Sequence, residues 1–332
     1  MKTSIDEINN KWSLKHKNGL AKRYILLRHA LLKTIREFFY KNGYIEVETP
    51  NLVATCAPDT YIDPLKVYVD DKGPFYLHTS PEMGMKKLLK FGFKRIFQIC
   101  KVFRVEDIDT THSIEFTMLE WYREGTYKEL MDETMELLEF ISTRPDFNGK
   151  RFFKNQIKIY DLEKLFIEKI GFNPFTLTRS GFIKEAKKII SIDKEDTWND
   201  LFFKIFIQVI EPGIKEDIPY FVVDWPSTIS SMAKQKGKNK VERFEMYING
   251  LEIANGYTEL MNSKSLKGRF KKENIKRKSL GKDVFLFDNE FLKAIDTIKE
   301  DYAGASIGID RLLMAITGKD RIDDVLPFRL KV

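Results

Sequence analysis

Apolar residues recur at helical spacing over residues 24–41, with Ile25, Leu27, Leu31, Ile35 and Phe38 on the repeat. Asn42-Gly43 stops that helix. Residues 44–50 then alternate at period two, which predicts a strand closed by Pro50. Residues 75–78 predict a short strand that runs into a helix over 83–90, with Thr79 or Ser80 as its cap and Pro81 at its first position. Two longer strands, 95–104 and 115–123, flank a polar loop at 105–113 that is too long for a tight hairpin. Residues 127–141 are amphipathic and predict a helix.

Between 144 and 216 short helical patterns alternate with loops and predict a helical insertion. Strands resume at 220–224 and continue through Glu259. A basic helical segment follows, and the chain closes on residues 304–311, GASIGIDR, and then an apolar helix, LLMAIT. This order predicts an α+β fold, a mainly antiparallel sheet flanked by helices.

Composition narrows the class. Of 332 residues 43% are hydrophobic and 32% charged, enough to fold around a large core without staples. Two cysteines, Cys56 and Cys100, exclude a disulfide scaffold, and four scattered histidines do not make a zinc cluster. No apolar run approaches the ~20 residues needed to span a bilayer. The first residues lack the apolar core of a secretion signal, so a cytoplasmic location is expected. The formal net charge is +7, and the Lys/Arg-dense stretches at 234–240 and 267–278 would attract a polyanion if they are more than solvated faces.

The chemistry concentrates in residues 243–260. Asn249-Gly250 between alternating residues predicts a two-residue hairpin turn. With that turn, Tyr247 faces Glu252 and Glu245 faces Ala254, so both glutamates share one face, roughly 7–8 Å apart at the backbone. Paired carboxylates suit Mg²⁺ bound to substrate phosphates; the alternative is two exposed glutamates on an edge hairpin. A second turn signal, Asn255-Gly256, would return Glu259 to the same place. Arg104, beside Glu106, and Arg311, after Gly308, are suited to gripping phosphates. Together these residues describe a site for a nucleoside triphosphate with a metal. No Walker-type loop and no GxGxxG after a first strand is present, so neither P-loop nor Rossmann binding is indicated. No Ser–His or Cys–His pattern appears either, which fits a reaction driven by alignment and charge stabilisation, such as nucleotidyl transfer.

The stretches GYIEVETP, FQICKVFRVED with HSIEFTMLEWYR, and GASIGIDRLLMAI resemble, in order, the three signatures of class II aminoacyl-tRNA synthetases of the lysine subclass. The resemblance spans about residues 22–328. Only about twenty residues precede the first signature, without the anticodon-binding barrel of a lysyl-tRNA synthetase. The expected organisation is therefore an arm over 1–21 and a catalytic domain over 22–332. HTSPEMGMKKLL, EFTMLEWYR and EIANGYTEL look most like the short ligases of this subclass that lysylate elongation factor P.

That resemblance implies ATP and Mg²⁺ as cofactors. It assigns Arg104, Val105, Glu106, Ser113, Glu252, Ile253, Gly308 and Arg311 to ATP, with Arg104 on the α-phosphate and Glu106 on the adenine amino group. Glu245 and Glu252 become the Mg²⁺ ligands. Ser80, Pro81, Glu82, Tyr122 and Glu259 become the amino-acid pocket. Ser113-Ile114 stands where the family has Asn-Pro. Ser306 replaces a glycine of the lysyl-tRNA synthetases, and its Cβ narrows the space for an α-ammonium group, which favours β-lysine. The implied acceptor is a lysine of elongation factor P, not tRNA, and the implied assembly is a homodimer. A tRNA ligase lacking the barrel and a non-catalytic sensor of lysine or ATP are the rival readings.

Overall fold

A long helix, α1 (Asn18–Lys41), opens the described chain and buries Leu31, Ile35, Phe38 and Phe39 along one face. The computed structural model describes residues 18–105, 109–147, 152, 157–214, 216–230 and 232–328. After α1 the chain forms β1 (Ile45–Glu46), β2 (Leu52–Val53), β3 (Leu65–Val69), β4 (Lys72–Leu77), α2 (Glu82–Leu89), β5 (Arg95–Phe103), β6 (Glu115–Glu124) and α3 (Tyr127–Ser142). The insertion supplies β7 (Lys158–Asp161), α4 (Leu162–Ile170), α5 (Arg179–Ala186) and α6 (Trp198–Ile205). Then come β8 (Tyr220–Val223), β9 (Gln235–Lys236), β10 (Lys240–Val241), β11 (Arg243–Ile248), β12 (Leu251–Thr258), α7 (Ser263–Ser279), α8 (Asn289–Thr297), β13 (Tyr302–Gly308) and α9 (Ile309–Thr317).

Eight strands form one sheet in the order β1-β5-β6-β13-β12-β11-β8-β7. Its central pairs are antiparallel, while β1 on β5 and β7 on β8 are parallel. The α+β expectation therefore holds. Two details differ. The period-two run at 44–50 pairs only at Ile45 and Glu46, because the chain leaves β5 after one step toward Pro50. The insertion also lends a strand, β7, to the main sheet beside its helices.

Period-two alternation sorts the two sheet faces. Leu119 and Trp121 of β6, Phe244 and Met246 of β11, and Ile307 of β13 enter a core shared with α1, α3 and α9. Met118, Glu120, Tyr122 and Ser306 face the other way, into a cavity of about 940 Å³. A second core, rich in aromatics, fills the insertion, where Phe166 stacks on Phe202 at 4.9 Å. Asp310 on α9 ties the layers together: it is buried, accepts the Thr117 N–H at 2.8 Å and pairs with Arg28 of α1.

Candidate active site

The floor of the cavity is β6, β13 and β12, and its rim is formed by α2, the segment before β3 and the loop entering α8. Of the residues picked out in the sequence, Ser80, Pro81, Glu82, Arg104, Ser113, Tyr122, Glu252, Ile253, Ser306, Gly308 and Arg311 all line this one space. Glu245 and Glu259 sit just behind the lining, 6% and 2% exposed. Val105 points away: its side chain is 50% exposed and its N–H donates to the Asp63 carbonyl at 2.8 Å. Glu106 lies outside the described residues.

One end of the cavity is cationic. Arg104 leaves the end of β5 with its guanidinium 5.2 Å from the Phe116 ring, and its Nε donates to the Thr79 carbonyl at 3.2 Å. Arg311, in the first turn of α9, donates through Nη1 to the Glu252 carbonyl at 3.3 Å and approaches the Glu252 carboxylate at 3.6 Å. Its Nη2 donates to His112 Nε2 at 2.6 Å, while His112 Nδ1 pairs with Asp109 at 2.8 Å. A Cβ on Gly308 would meet only the Arg311 Cβ, at 4.0 Å. Backbone and open space thus meet there, as a flat ring laid on the strand requires.

The glutamate pair behaves as a carboxylate cluster, by a register different from the expected one. Asn249 and Gly250 make the turn with positive φ, as their spacing predicted. A β-bulge between Met246 and Tyr247 then shifts the pairing, so Glu245 faces Asn255 and Met246 faces Ala254. Glu245 still lies on the Tyr247–Glu252 side: burial, and then the Glu252 charge, push its carboxyl up to about 8. It is held by Arg243 and by the Tyr247 hydroxyl, each at 2.6 Å. Glu211, from the insertion, is a third acid here. Burial and the Glu252 charge raise it to about 7, with Arg311 opposing. Among the described residues no three of these acids converge on one metal-sized point.

Asn255-Gly256 is not a turn. Both residues run through the middle of β12, opposite Ser306 and Ala305. Gly256 is there for packing, since a Cβ would meet the Phe244 ring and the Ala305 Cβ at 2.7 Å. Glu259 consequently does not return to Glu245 and Glu252. It ends up in a separate acidic pocket at the other end of the cavity, paired with Lys86 at 2.5 Å.

That pocket holds Glu82 at the start of α2, Glu120 and Tyr122 on β6, and Glu259 just beyond β12. Pro81, not Thr79 or Ser80, occupies the cap position of α2, and no side chain caps the helix. Tyr122 donates to Glu120 at 2.6 Å, and the Tyr257 hydroxyl donates to Glu82. Burial, then the Glu82 charge, raises the Glu120 carboxyl to about 8. Burial raises Glu259 to about 8 despite the opposing Lys86 charge. Glu120 and Lys86 went unremarked in the sequence. Glu120 lies two residues before Tyr122 on one strand and Lys86 lies one helical turn after Glu82, and these spacings are the signals that would have found them.

One cavity on an antiparallel sheet thus carries two guanidiniums at one end and buried carboxylates at the other, an arrangement suited to a nucleotide beside a basic amino acid. A family model described as tRNA synthetases class II (D, K and N) matches residues 6–331, and the chain belongs to this family. It is similar to the elongation factor P–(R)-beta-lysine ligase of Haemophilus influenzae (strain PittGG), with 34% identity over 314 residues, 92% of this chain and 94% of that protein. The proteins of the same name from Avibacterium paragallinarum and Sodalis glossinidius (strain morsitans) are 32% and 31% identical, each over 92% of this chain and 95% of their own length. Among the described residues no helix is long and apolar enough to cross a membrane.

Proposed function

We propose that this enzyme activates lysine with ATP as an aminoacyl-adenylate, prefers β-lysine over α-lysine, and transfers the lysyl group to a lysine ε-amine of elongation factor P. The carrying observation is the polarity of the cavity. Arg104 and Arg311 stand at one end and Glu82, Glu120 and Glu259 at the other, with Ser306 between them on β13. A molecule bearing a carboxylate and two ammonium groups fits such a field in one orientation, its carboxylate toward the phosphates.

In the first step the amino-acid carboxylate attacks the α-phosphorus of ATP and pyrophosphate leaves. Arg104 meets the α-phosphate, and Arg311 meets the adenine and the γ-phosphate over Gly308. Both guanidiniums are already oriented by backbone carbonyls, so little reorganisation accompanies charge development. Ser113 and Ile253 line the nucleotide end. Glu245 and Glu252 fit an Mg²⁺ ion: both are oxygen donors, the Glu252 charge raises the buried Glu245 carboxyl, and two carboxylates suffice where phosphates supply further ligands. Bound there, Mg²⁺ supplies neutralisation of phosphate charge. In the second step the acceptor amine attacks the adenylate carbonyl, an amide forms and AMP leaves.

Two further features support the reading. Ser306 pairs with Glu120 and with Asn255, so its Cβ stands over the floor where an α-ammonium would sit. On α1, Ile25 and Leu26 remain 48% and 57% exposed, an apolar face that a second copy would cover in the proposed homodimer. Pyrophosphate exchange dependent on each lysine isomer tests the first step. The expected result is exchange with β-lysine above that with α-lysine, and exchange with neither would overturn the reading.

A further inference from the structure

We infer that Lys86 is the resident counter-cation of the amino-acid pocket, a positioning residue that cancels one of three carboxylate charges and holds Glu82 and Glu259 for a substrate with two ammonium groups. The inference rests on lysine being the substrate.

Lys86 belongs to α2, yet its side chain is only 2% exposed. Its ammonium pairs with Glu82 and with Glu259 Oε2, each at 2.5 Å, and lies 5.2 Å from the Tyr257 ring centroid. Its fourth neighbour is the Met232 sulfur at 3.8 Å. Burial works against the charge, but the Glu259 and Glu82 carboxylates hold its pKa above the ordinary lysine value. A lysine this deep is retained only where opposite charges enclose it.

The charges facing it can be counted by element. Helix α2 supplies Glu82; β6 supplies Glu120 and Tyr122; β12 and its continuation supply Tyr257 and Glu259. The floor strand β13 brings Gly304, Ala305 and Ser306 there, none of them charged. Arg104 also acts on Glu120, but from the nucleotide end, where phosphate and the substrate carboxylate would meet it. Once all three carboxylates are ionised, as when a dication binds, the one Lys86 ammonium leaves two negative charges, the number of ammonium groups on lysine. One acceptor is visibly waiting. Glu259 Oε1 is buried with no hydrogen-bond partner among the described residues, and it faces Gly304, where a Cβ would lie 2.8 Å from it. Lys86 occupies the other oxygen and so fixes which one is presented.

Charge balance gives the test a direction that a purely structural lysine does not. Glu82→Gln alone leaves one negative charge in the pocket and is expected to raise the KM for lysine in pyrophosphate exchange by about tenfold or more. Adding Lys86→Met restores two negative charges. The double variant is therefore expected to recover a lower KM than Glu82→Gln, by about threefold or more, with kcat changing less than KM. Lys86→Met alone leaves three carboxylates with no cation, so each holds its proton more tightly. Calorimetry of lysine binding at pH 7 in two buffers of different ionisation enthalpy is expected to show more protons released than from the wild type. A double variant no better than Glu82→Gln, or an unchanged proton count for a folded Lys86→Met, overturns the proposal. If Lys86→Met alone does not fold, the comparison of Glu82→Gln with the double variant decides it. If the wild type activates neither lysine isomer, the substrate reading falls first and takes this inference with it.

Discussion

Gly304 stands opposite Tyr122 in the pairing of β13 with β6, and the side chain it lacks is the volume that the tyrosine ring fills. An added Cβ would lie 2.3 Å from the ring and 2.8 Å from Glu259 Oε1. Neither neighbour has room to yield, because both are buried. Gly304→Ala is expected to cost about 1–3 kcal/mol of stability and to abolish saturation by lysine. Thermal unfolding together with lysine-dependent pyrophosphate exchange checks both outcomes.

Arg311 meets the protein at the rim of the cavity, where the Thr111 and Glu252 carbonyls and His112 accept from it and its ion-pair partner, the Glu252 carboxylate, is 39% exposed. Removing it therefore costs little stability and much catalysis. Arg311→Ala is expected to lower pyrophosphate exchange by about 10²–10³-fold and to change stability by less than about 1 kcal/mol. Exchange rates and a denaturant midpoint measured on the same preparation separate the two effects.

The acidic pocket sets the direction of pH dependence. Glu120 and Glu259 are raised from an ordinary value near 4.5 to about 8, by burial first. Groups raised on folding give stability that is fully present below the unfolded value and lost as pH rises through the folded one. The ligand-free protein is expected to lose melting temperature between pH 6 and 8.5, and added lysine to restore more of it at pH 8.5 than at pH 6. Melting curves with and without lysine measure this; the reverse order of the two restorations would contradict the assignment of these carboxylates to the ammonium groups.

Ser306→Gly removes the Cβ that stands over the pocket floor between Glu120 and Asn255. The ratio of kcat/KM for α-lysine to that for β-lysine is expected to rise by about tenfold or more, the scale on which one carbon changes selectivity in a tight pocket. Steady-state adenylation with each isomer reads the ratio directly.

The helices and the long strands were legible in the residue pattern, because α1, β5, β6 and α3 carry strong periods and clear stops. Asn249-Gly250 also formed the turn its residues require, with φ of 52° and 72°. Registers were less legible. A bulge beside Tyr247 moved Glu245 from Ala254 to Asn255, and nothing in an alternating run marks where one residue will be left over. Asn255-Gly256 read as a turn because local chemistry allows one, whereas Gly256 is needed by the Phe244 ring from a neighbouring strand. The same limit explains Lys86. Its spacing from Glu82 marks a pair one helical turn apart, which reads as an ordinary helix-surface pair, and it is the approach of Glu259, 173 positions further along the chain, that sequence spacing does not show.

One measurement bears most directly on the whole account: mass spectrometry of elongation factor P after incubation with this protein, ATP, Mg²⁺ and either lysine isomer. A gain of one lysyl unit, greater with β-lysine, is the expected result. An unchanged mass with both isomers, accompanied by lysyl charging of tRNA, would contradict it.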